Sequence, residues 1–285
     1  MSNLASYQGI PLLFRETEIL RFLEQRLGQV LPNVTTDLAD LGFKAENHQV
    51  IALRLDNQGL RALPEIVTQF LKLHTLTVAR NQLQSLPKSF GQLKNLQTLY
   101  LHGNKLTSLP ESFGNLKNLK GCYLYENELT SLPESFRNLI RLVELSLSDN
   151  QLQSLPDSFE SLSKLEQLDL VSNQLRSLPE NFGRLKNLKE LNLWGNQLTS
   201  LPESFGNLRN LVKLELCNNK LRSLPETFGN LRSLQELYLD NNQIRSLPES
   251  FGNLCNLETL YLQENELKTL PESFGNLCNL KELWL

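Results

Sequence analysis

The sequence predicts an α/β protein built as a solenoid of stacked repeats behind a helical cap. Three observations predict this fold class. A leucine recurs every 23 residues from Leu73 to Leu280, an asparagine and a proline follow it at fixed distances, and residues 1–49 do not repeat. Units of this length cannot each close a core, so they bury their apolar side chains against their neighbours in a stack.

Residues 1–49 are predicted to form the N-terminal cap, which covers the open end of the repeat core. The stretch LFRETEILRFLEQRL places apolar residues on one helical face, and Gly28 ends that helix. The apolar positions are Ile19, Leu20, Leu23 and Leu27. An independent binding motif in this helix is the alternative interpretation.

Two further elements are predicted in the cap. A short helix is expected over residues 36–41. The stretch FKAENHQVIALRL, residues 43–55, favours two strands around a turn at residues 46–48.

Residues 50–285 are predicted to form about ten repeats, the last one truncated. The unit that starts at Leu188 is complete and reads LKELNLWGNQLTSLPESFGNLRN, whereas the first unit, at Val50, has Gln58 in place of the asparagine. The alternation in LxxLxL indicates a short strand with one face buried. The asparagine can bond backbone groups at the strand end, the proline prevents the strand from continuing, and the phenylalanine adds to the core.

The consensus LxxLxLxxNxLxxLPxxFxxLxx resembles the leucine-rich repeat family, and the resemblance covers about residues 49–285. Its LPxxFxxL half resembles the intracellular class of plant Ras-group-related leucine-rich repeat proteins and animal Ras-pathway scaffolds. The resemblance implies a right-handed horseshoe, with parallel strands on the concave face and short helical, 3₁₀ or irregular convex segments. It also implies a protein partner, with a small GTPase as one candidate.

Composition excludes several classes of function. The net charge of −3 gives no argument for binding nucleic acid or an anionic membrane, and no apolar stretch is long enough to cross one. We see no secretory signal, and four cysteines do not make a disulfide scaffold, so we expect a cytoplasmic protein. No CxxC, HExxH, GxxxxGK[ST] or GxSxG motif occurs, so we expect no enzyme, metal or cofactor.

The four cysteines have different predicted environments. Cys122 replaces a core leucine and should be buried, and Cys217 should face the concave side, where its thiol could react. Cys255 and Cys278 occupy the same position of neighbouring units and should lie close together. They are either two free thiols or a disulfide, and the sequence leaves their pairing open.

Aromatic side chains are concentrated on the predicted concave face, which displays the third, fifth, seventh and eighth positions of each unit. Five of the six tyrosines and both tryptophans fall there. Tyr238, Tyr261 and Trp284 are in consecutive units and should form one continuous strip. Because tyrosine and tryptophan dominate protein interfaces, we expect these residues to anchor a partner. The anchors are Tyr100, Tyr123, Tyr125, Trp194, Tyr238, Tyr261 and Trp284.

Acidic side chains dominate the same face. Only Arg80 and Lys213 oppose them, with His102 mostly neutral. This favours a protein partner with a basic patch and disfavours nucleic acid. The alternative is that exposed strand positions merely tolerate such residues. The predicted partner-binding carboxylates are Glu126, Glu144, Asp169, Glu190, Glu215, Glu236, Asp240 and Glu264, with Asp149 and Glu282 beside them.

The predicted function is a non-catalytic protein-interaction scaffold in intracellular signalling. The alternatives are the recognition arm of a larger enzyme, such as a GTPase or a ubiquitin ligase with its catalytic domain outside this chain, and a structural or adhesion protein. The last strand contains the core-type residues Leu283 and Leu285. We therefore expect either a longer native chain or two such ends packed end to end, and the oligomeric state stays open.

Overall fold

The computed structural model describes residues 3–34 and 40–285. The chain begins with an antiparallel hairpin of β1 (Leu4–Tyr7) and β2 (Ile10–Leu13), which was not predicted. Gln8 and Gly9 form its two-residue turn with φ of 51° and 81°. Two consecutive positive φ angles match the twist of a tight hairpin, and glycine adopts such an angle without a steric penalty.

The predicted amphipathic helix is confirmed as α1 (Phe14–Leu27), which buries Ile19, Leu20 and Leu23. Gly28 ends it in the left-handed conformation, with φ of 68°, and donates its N–H to the carbonyl of Glu24 at 2.8 Å. The short helix predicted over residues 36–41 falls mostly outside the described residues. Its last position, Leu41, begins a strand instead.

The two predicted strands after it are confirmed as β3 (Leu41–Glu46) and β4 (Gln49–Leu55), paired antiparallel. On its other edge β4 pairs parallel with the first repeat strand, so the cap hairpin extends the repeat sheet. Glu16 of α1 accepts a hydrogen bond from the backbone N–H of Val50 at 2.6 Å. This bond links the cap helix to the sheet.

The repeats supply ten strands of three residues, all parallel and in chain order, which together with β3 and β4 make a 12-stranded sheet. Adjacent strands pair with a constant offset, as in Leu191 beside Leu214, so equivalent positions of neighbouring units lie side by side. The strands are β5 (Thr75–Thr77), β6 (Thr98–Tyr100), β7 (Gly121–Tyr123), β8 (Glu144–Ser146), β9 (Gln167–Asp169), β10 (Glu190–Asn192), β11 (Lys213–Glu215), β12 (Glu236–Tyr238), β13 (Thr259–Tyr261) and β14 (Glu282–Trp284).

The convex side consists of short 3₁₀ helices. Most begin directly after the repeat proline, whose fixed φ suits an extended residue before a turn. They span Glu65–Gln69, Phe90–Gln92, Glu111–Asn115, Glu134–Asn138, Asp157–Ser161, Phe182–Arg184, Glu203–Asn207, Glu226–Asn230, Glu249–Asn253 and Glu272–Asn276.

Leucine and phenylalanine ladders fill the space between the sheet and these helices. The rings from Phe90 to Phe251 are 0–1% exposed and stack on one another almost in parallel. Burial of each such side chain is worth roughly 1.5–3 kcal/mol, so the ladders dominate stability. The predicted core of repeat leucines and phenylalanines is confirmed.

The predicted role of the asparagine is also confirmed, and Asn150 shows its geometry. Its Nδ2 donates to the carbonyls of Leu124 and Leu147 at 3.0 Å, and its Oδ1 accepts the N–H of Leu129 at 2.9 Å. One side chain therefore binds backbone of its own unit and of the unit before it. A second asparagine ladder, unpredicted, runs along the outer edge, where Asn210 donates to the carbonyl of Lys186 at 2.8 Å.

The cysteines are all free. Cys122 is buried in the leucine ladder of the sheet, as predicted. The expectation of a reactive Cys217 is wrong, because its thiol is buried and donates to Asp240 Oδ1 at 2.8 Å. Burial raises the pKa of the Cys217 thiol, and the hydrogen bond to Asp240 raises it further. Cys255 and Cys278 are exposed.

Candidate protein-binding surface

The concave surface is formed by the side chains that flank the buried central leucine of each strand. Successive strand residues point to opposite faces, so the third and fifth positions of every unit face the concavity. Since the strands are in register, each position forms a row across the sheet, as in Tyr100 beside Tyr123 and Tyr238 beside Tyr261.

An aromatic cluster lies in the N-terminal half of this surface. Tyr100 stacks on Tyr123 with ring centroids 4.6 Å apart, and His102 stacks on Tyr125 at 4.3 Å. His102 was not among the predicted anchors, although it occupies the same seventh position as Tyr125 and Trp194. Burial lowers the pKa of its imidazole, so the ring is neutral at pH 7 and suited to stacking.

A polar groove of about 290 Å³ follows, and four predicted carboxylates line it: Glu144, Asp169, Glu190 and Glu215. Three of them accept hydrogen bonds from neutral neighbours. The Tyr123 hydroxyl donates to Glu144, Ser146 to Asp169 at 3.1 Å, and Asn192 to Glu215 at 2.8 Å. These neighbours hold the carboxylates in place and carry no positive charge of their own.

Lys213 is the cation that interrupts the acidic rows. Its Nζ lies 2.8 Å from Glu215, 3.8 Å from Glu236 and 5.5 Å from the centre of the Tyr238 ring. The hydrogen bond with Glu215 raises the pKa of Lys213. Glu215 and Glu236 are therefore partly neutralised within the chain, which the sequence alone did not indicate.

The C-terminal aromatic strip is continuous, as predicted. Ring centroids are 5.1 Å apart between Tyr238 and Tyr261, and 6.0 Å apart between Tyr261 and Trp284. Glu282 accepts hydrogen bonds from the Tyr261 hydroxyl at 2.7 Å and from the Trp284 indole at 2.9 Å. Burial and the hydrogen bond to Glu236 raise the pKa of Tyr238 to about 12, so its hydroxyl stays protonated.

Trp194 stands apart from both aromatic groups. Its side chain is 40% exposed, and its backbone N–H is held by Asn192 Oδ1 at 3.0 Å. In the part of the chain that the structure describes, no aromatic ring contacts it. An exposed indole on a rigid strand end is available to insert into a partner.

Four carboxylates on this face have no side-chain partner within residues 3–34 and 40–285: Glu126, Asp149, Glu190 and Glu264. Glu126, Asp149 and Glu264 occupy the eighth position, where the backbone has a φ of 51–54°. In contrast, Asp240 accepts the Cys217 thiol. The unpaired carboxylates are the ones best able to meet a cation of a partner.

One cation on this face was not predicted. Arg54 of the degenerate first unit lines a groove of about 370 Å³ with Asp56, Thr77, Tyr100 and His102. Asp56 accepts hydrogen bonds from the Thr77 hydroxyl and the Ala79 N–H, both at 2.6 Å, while its burial raises its pKa. The N-terminal end of the surface is thus less acidic than its middle.

Across residues 3–34 and 40–285, no three histidine, cysteine, aspartate or glutamate side chains are grouped to hold a metal ion. Over the same ranges, no helix has the length and apolar character needed to cross a membrane.

Comparison with known proteins agrees with the repeat architecture. Family models described as "Leucine rich repeat" match residues 51–106, 71–129, 107–152, 122–175, 233–254 and 256–277, and one described as "Leucine-rich repeat region" matches residues 157–242. No curated protein sequence matches the chain.

Several solved structures are similar. A leucine-rich repeat protein of Leptospira interrogans is 36% identical, with a TM-score of 0.58, over 80% of this chain and 70% of that one. PEPR1–AtPEP1 is 33% identical with a TM-score of 0.70, and a TDR receptor 30% identical with a TM-score of 0.64. These two matches cover 79% and 83% of this chain but 33% and 47% of the other. The chain belongs to the leucine-rich repeat family.

Proposed function

We propose that this protein is a non-catalytic interaction module that binds a protein partner on its concave face. The observation that carries the proposal is the concentration of partly exposed tyrosine and tryptophan rings on one rigid sheet. Such rings supply large contact area at a low entropic cost, because their strands are already ordered.

The charge of this face defines the partner further. Glu126, Asp149, Glu190 and Glu264 are unpaired in the described structure, and the groove between the aromatic groups is lined by carboxylates. A partner with a basic patch would meet complementary charge here, whereas the phosphates of nucleic acid would be repelled.

Structural neighbours support the proposal at the level of the module. PEPR1–AtPEP1 and the TDR receptor share the fold at 33% and 30% identity. Since the chain spans about a third and about half of those proteins, only the general role of a binding module is transferred. The resemblance of the LPxxFxxL half to the intracellular class favours a cytoplasmic signalling protein, with a small GTPase as one candidate partner.

Affinity capture from lysate of the source cells tests this proposal. Three baits are compared: the native chain, a variant with Trp194→Ala, Tyr238→Ala and Tyr261→Ala, and a control with Phe22→Ala, Leu71→Ala and Ile140→Ala. The control removes exposed apolar side chains elsewhere on the surface. All three must melt at the same temperature.

We expect a protein retained by the native and control baits and lost by the concave variant. Identical captures by all three baits would contradict the proposal. Small GTPases loaded with GDP or with a GTP analogue are then tested as purified candidates, and cell fractionation tests the cytoplasmic location.

A further inference from the structure

A basic strip runs along the outer edge of the solenoid, away from the concave face. It consists of Lys186, Arg209 and Arg232, which occupy the same position of three consecutive units and are all exposed. They lie in the segment between each convex 3₁₀ helix and the next strand.

These three cations are not used by the fold. Within residues 3–34 and 40–285, none of them has a carboxylate within 4 Å or a side-chain hydrogen bond. Arg184 beside them is different, because it pairs with Glu160 at 2.9 Å. The turns themselves, read as FGRLKN, FGNLRN and FGNLRS, contain no acidic residue.

The surface between the cations is indented and is lined mainly by polar and charged residues. A cavity of about 590 Å³ is lined by Gly183, Arg184, Lys186, Asn207, Arg209 and Asn210. A second, of about 210 Å³, is lined by Arg209, Asn230 and Arg232. The amides of Asn207 and Asn230 have no side-chain partner in the described structure, so they are free to bond a peptide backbone.

We propose that this basic strip binds an extended acidic segment of a partner protein, with carboxylates at alternate positions. The repeat sets the spacing of the cations, and the nearby phenylalanine rings of these units are 6.1 and 6.2 Å apart. In an extended peptide, side chains on one face recur every ~6.6–6.8 Å, since each residue rises ~3.3–3.4 Å. Alternate carboxylates therefore fall opposite successive cations.

The strip is basic and the concave face is acidic. The two proposed interfaces would therefore take partners of opposite charge and would not compete. The acidic concave face would repel the segment that the strip attracts. One chain could then hold a basic partner inside the horseshoe and an acidic one outside it.

The test measures fluorescence anisotropy of a labelled ten-residue peptide of alternating glutamate and serine. A peptide with the same composition in two blocks is the control ligand. The variant is Lys186→Gln, Arg209→Gln and Arg232→Gln. Its matched control is Lys72→Gln, Lys105→Gln and Lys220→Gln, which removes equal charge from exposed positions in scattered units.

We expect salt-sensitive binding of the alternating peptide, weakened about tenfold by the strip variant, because that variant removes three exposed ion pairs that are each weak but act together. The control variant should bind as the native chain does. Absent binding, equal binding of the block peptide, or equal loss in the control variant would overturn the proposal. Tighter binding of decathymidylate or inorganic polyphosphate would also overturn it.

Discussion

Gly206 packs directly against the carbonyl oxygen of Thr227 in the next unit, where a Cβ atom would lie 2.1 Å from that oxygen. The same close approach recurs along the convex side. Two units carry Arg137 or Glu160 at this position instead of glycine. Phe136 precedes Arg137 and Phe159 precedes Glu160, and the ring of each lies 6.5 Å from the equivalent ring of the next unit, against 5.9–6.2 Å elsewhere. Glycine therefore permits the tighter spacing of the convex turns.

Replacement of this glycine should destabilise the stack. We expect Gly206→Ala to lower the free energy of unfolding by about 1–3 kcal/mol, because the added methyl group overpacks rigid backbone. Gly275→Ala is the matched control, since nothing lies within 4 Å of its Cβ position. Urea denaturation followed by circular dichroism measures both, and equal effects would show that backbone contact is not the cause.

The buried asparagine ladder, which contains Asn150, should contribute more to the free energy of unfolding per residue than the outer asparagine ladder. Asn150→Ala leaves the buried N–H of Leu129 without its partner, and such an unsatisfied group costs about 1–3 kcal/mol. The carbonyls of Leu124 and Leu147 each lose one donor but keep another, from Asn127 and Asn173. Asn187→Ala removes one exposed bond to the carbonyl of Ser163. We expect the first variant to lower the denaturation midpoint clearly and the second only slightly. A reversed order would contradict the assigned roles.

Glu16 should make stability depend on pH. Burial raises its pKa from 4.5 to about 7, although the Val50 N–H opposes this shift. The folded state therefore binds more protons than the unfolded state between these values. Its stabilising contribution is complete below pH 4.5 and is lost as the pH rises to about 7. The loss is about 1–3 kcal/mol for a shift of this size.

Glu16→Gln should remove this component, because glutamine keeps an oxygen for Val50 and carries no charge to bury. The difference in unfolding free energy between the variant and the native chain should grow from pH 4.5 to pH 7.5. Glu18→Gln, at an exposed position of the same helix, is the control. A difference that stays constant with pH would disprove the assigned titration.

Concave carboxylates should accelerate partner binding. Glu126→Gln, Glu190→Gln and Glu264→Gln together should lower the association rate constant several-fold at low salt, since unpaired charges steer encounter. The control changes the convex residues Glu111, Glu203 and Glu226 to glutamine. Surface plasmon resonance with the captured partner measures both, and equal rates for the two variants would rule out steering by this face.

Periodicity made most of the fold predictable. The leucines, Asn150 and its equivalents, and the phenylalanines each repeat a backbone environment, so one unit predicts all of them. The continuous strip from Tyr238 to Trp284 followed for the same reason, since strands in register align equal positions. That these residues bind a partner stays a prediction.

Features that depend on contacts between different positions were not predictable. The first hairpin, around Gln8 and Gly9, has no repeat to reveal it. Partial neutralisation of Glu236 by Lys213 requires the distance across two strands, and Arg54 lies in a unit too degenerate for its concave position to be noticed. The close approach at Gly206 depends on backbone of the next unit, which a consensus does not show.

The most direct test of the central claim is the equilibrium dissociation constant of the captured partner for the native and variant chains. Isothermal titration calorimetry is applied to Trp194→Ala/Tyr238→Ala/Tyr261→Ala and to the control Phe22→Ala/Leu71→Ala/Ile140→Ala. If the concave aromatic residues anchor the partner, the first variant should bind about a hundredfold more weakly, because each interface anchor contributes more than ~1 kcal/mol. The control should bind as the native chain does. Native affinity in the concave variant would contradict the account.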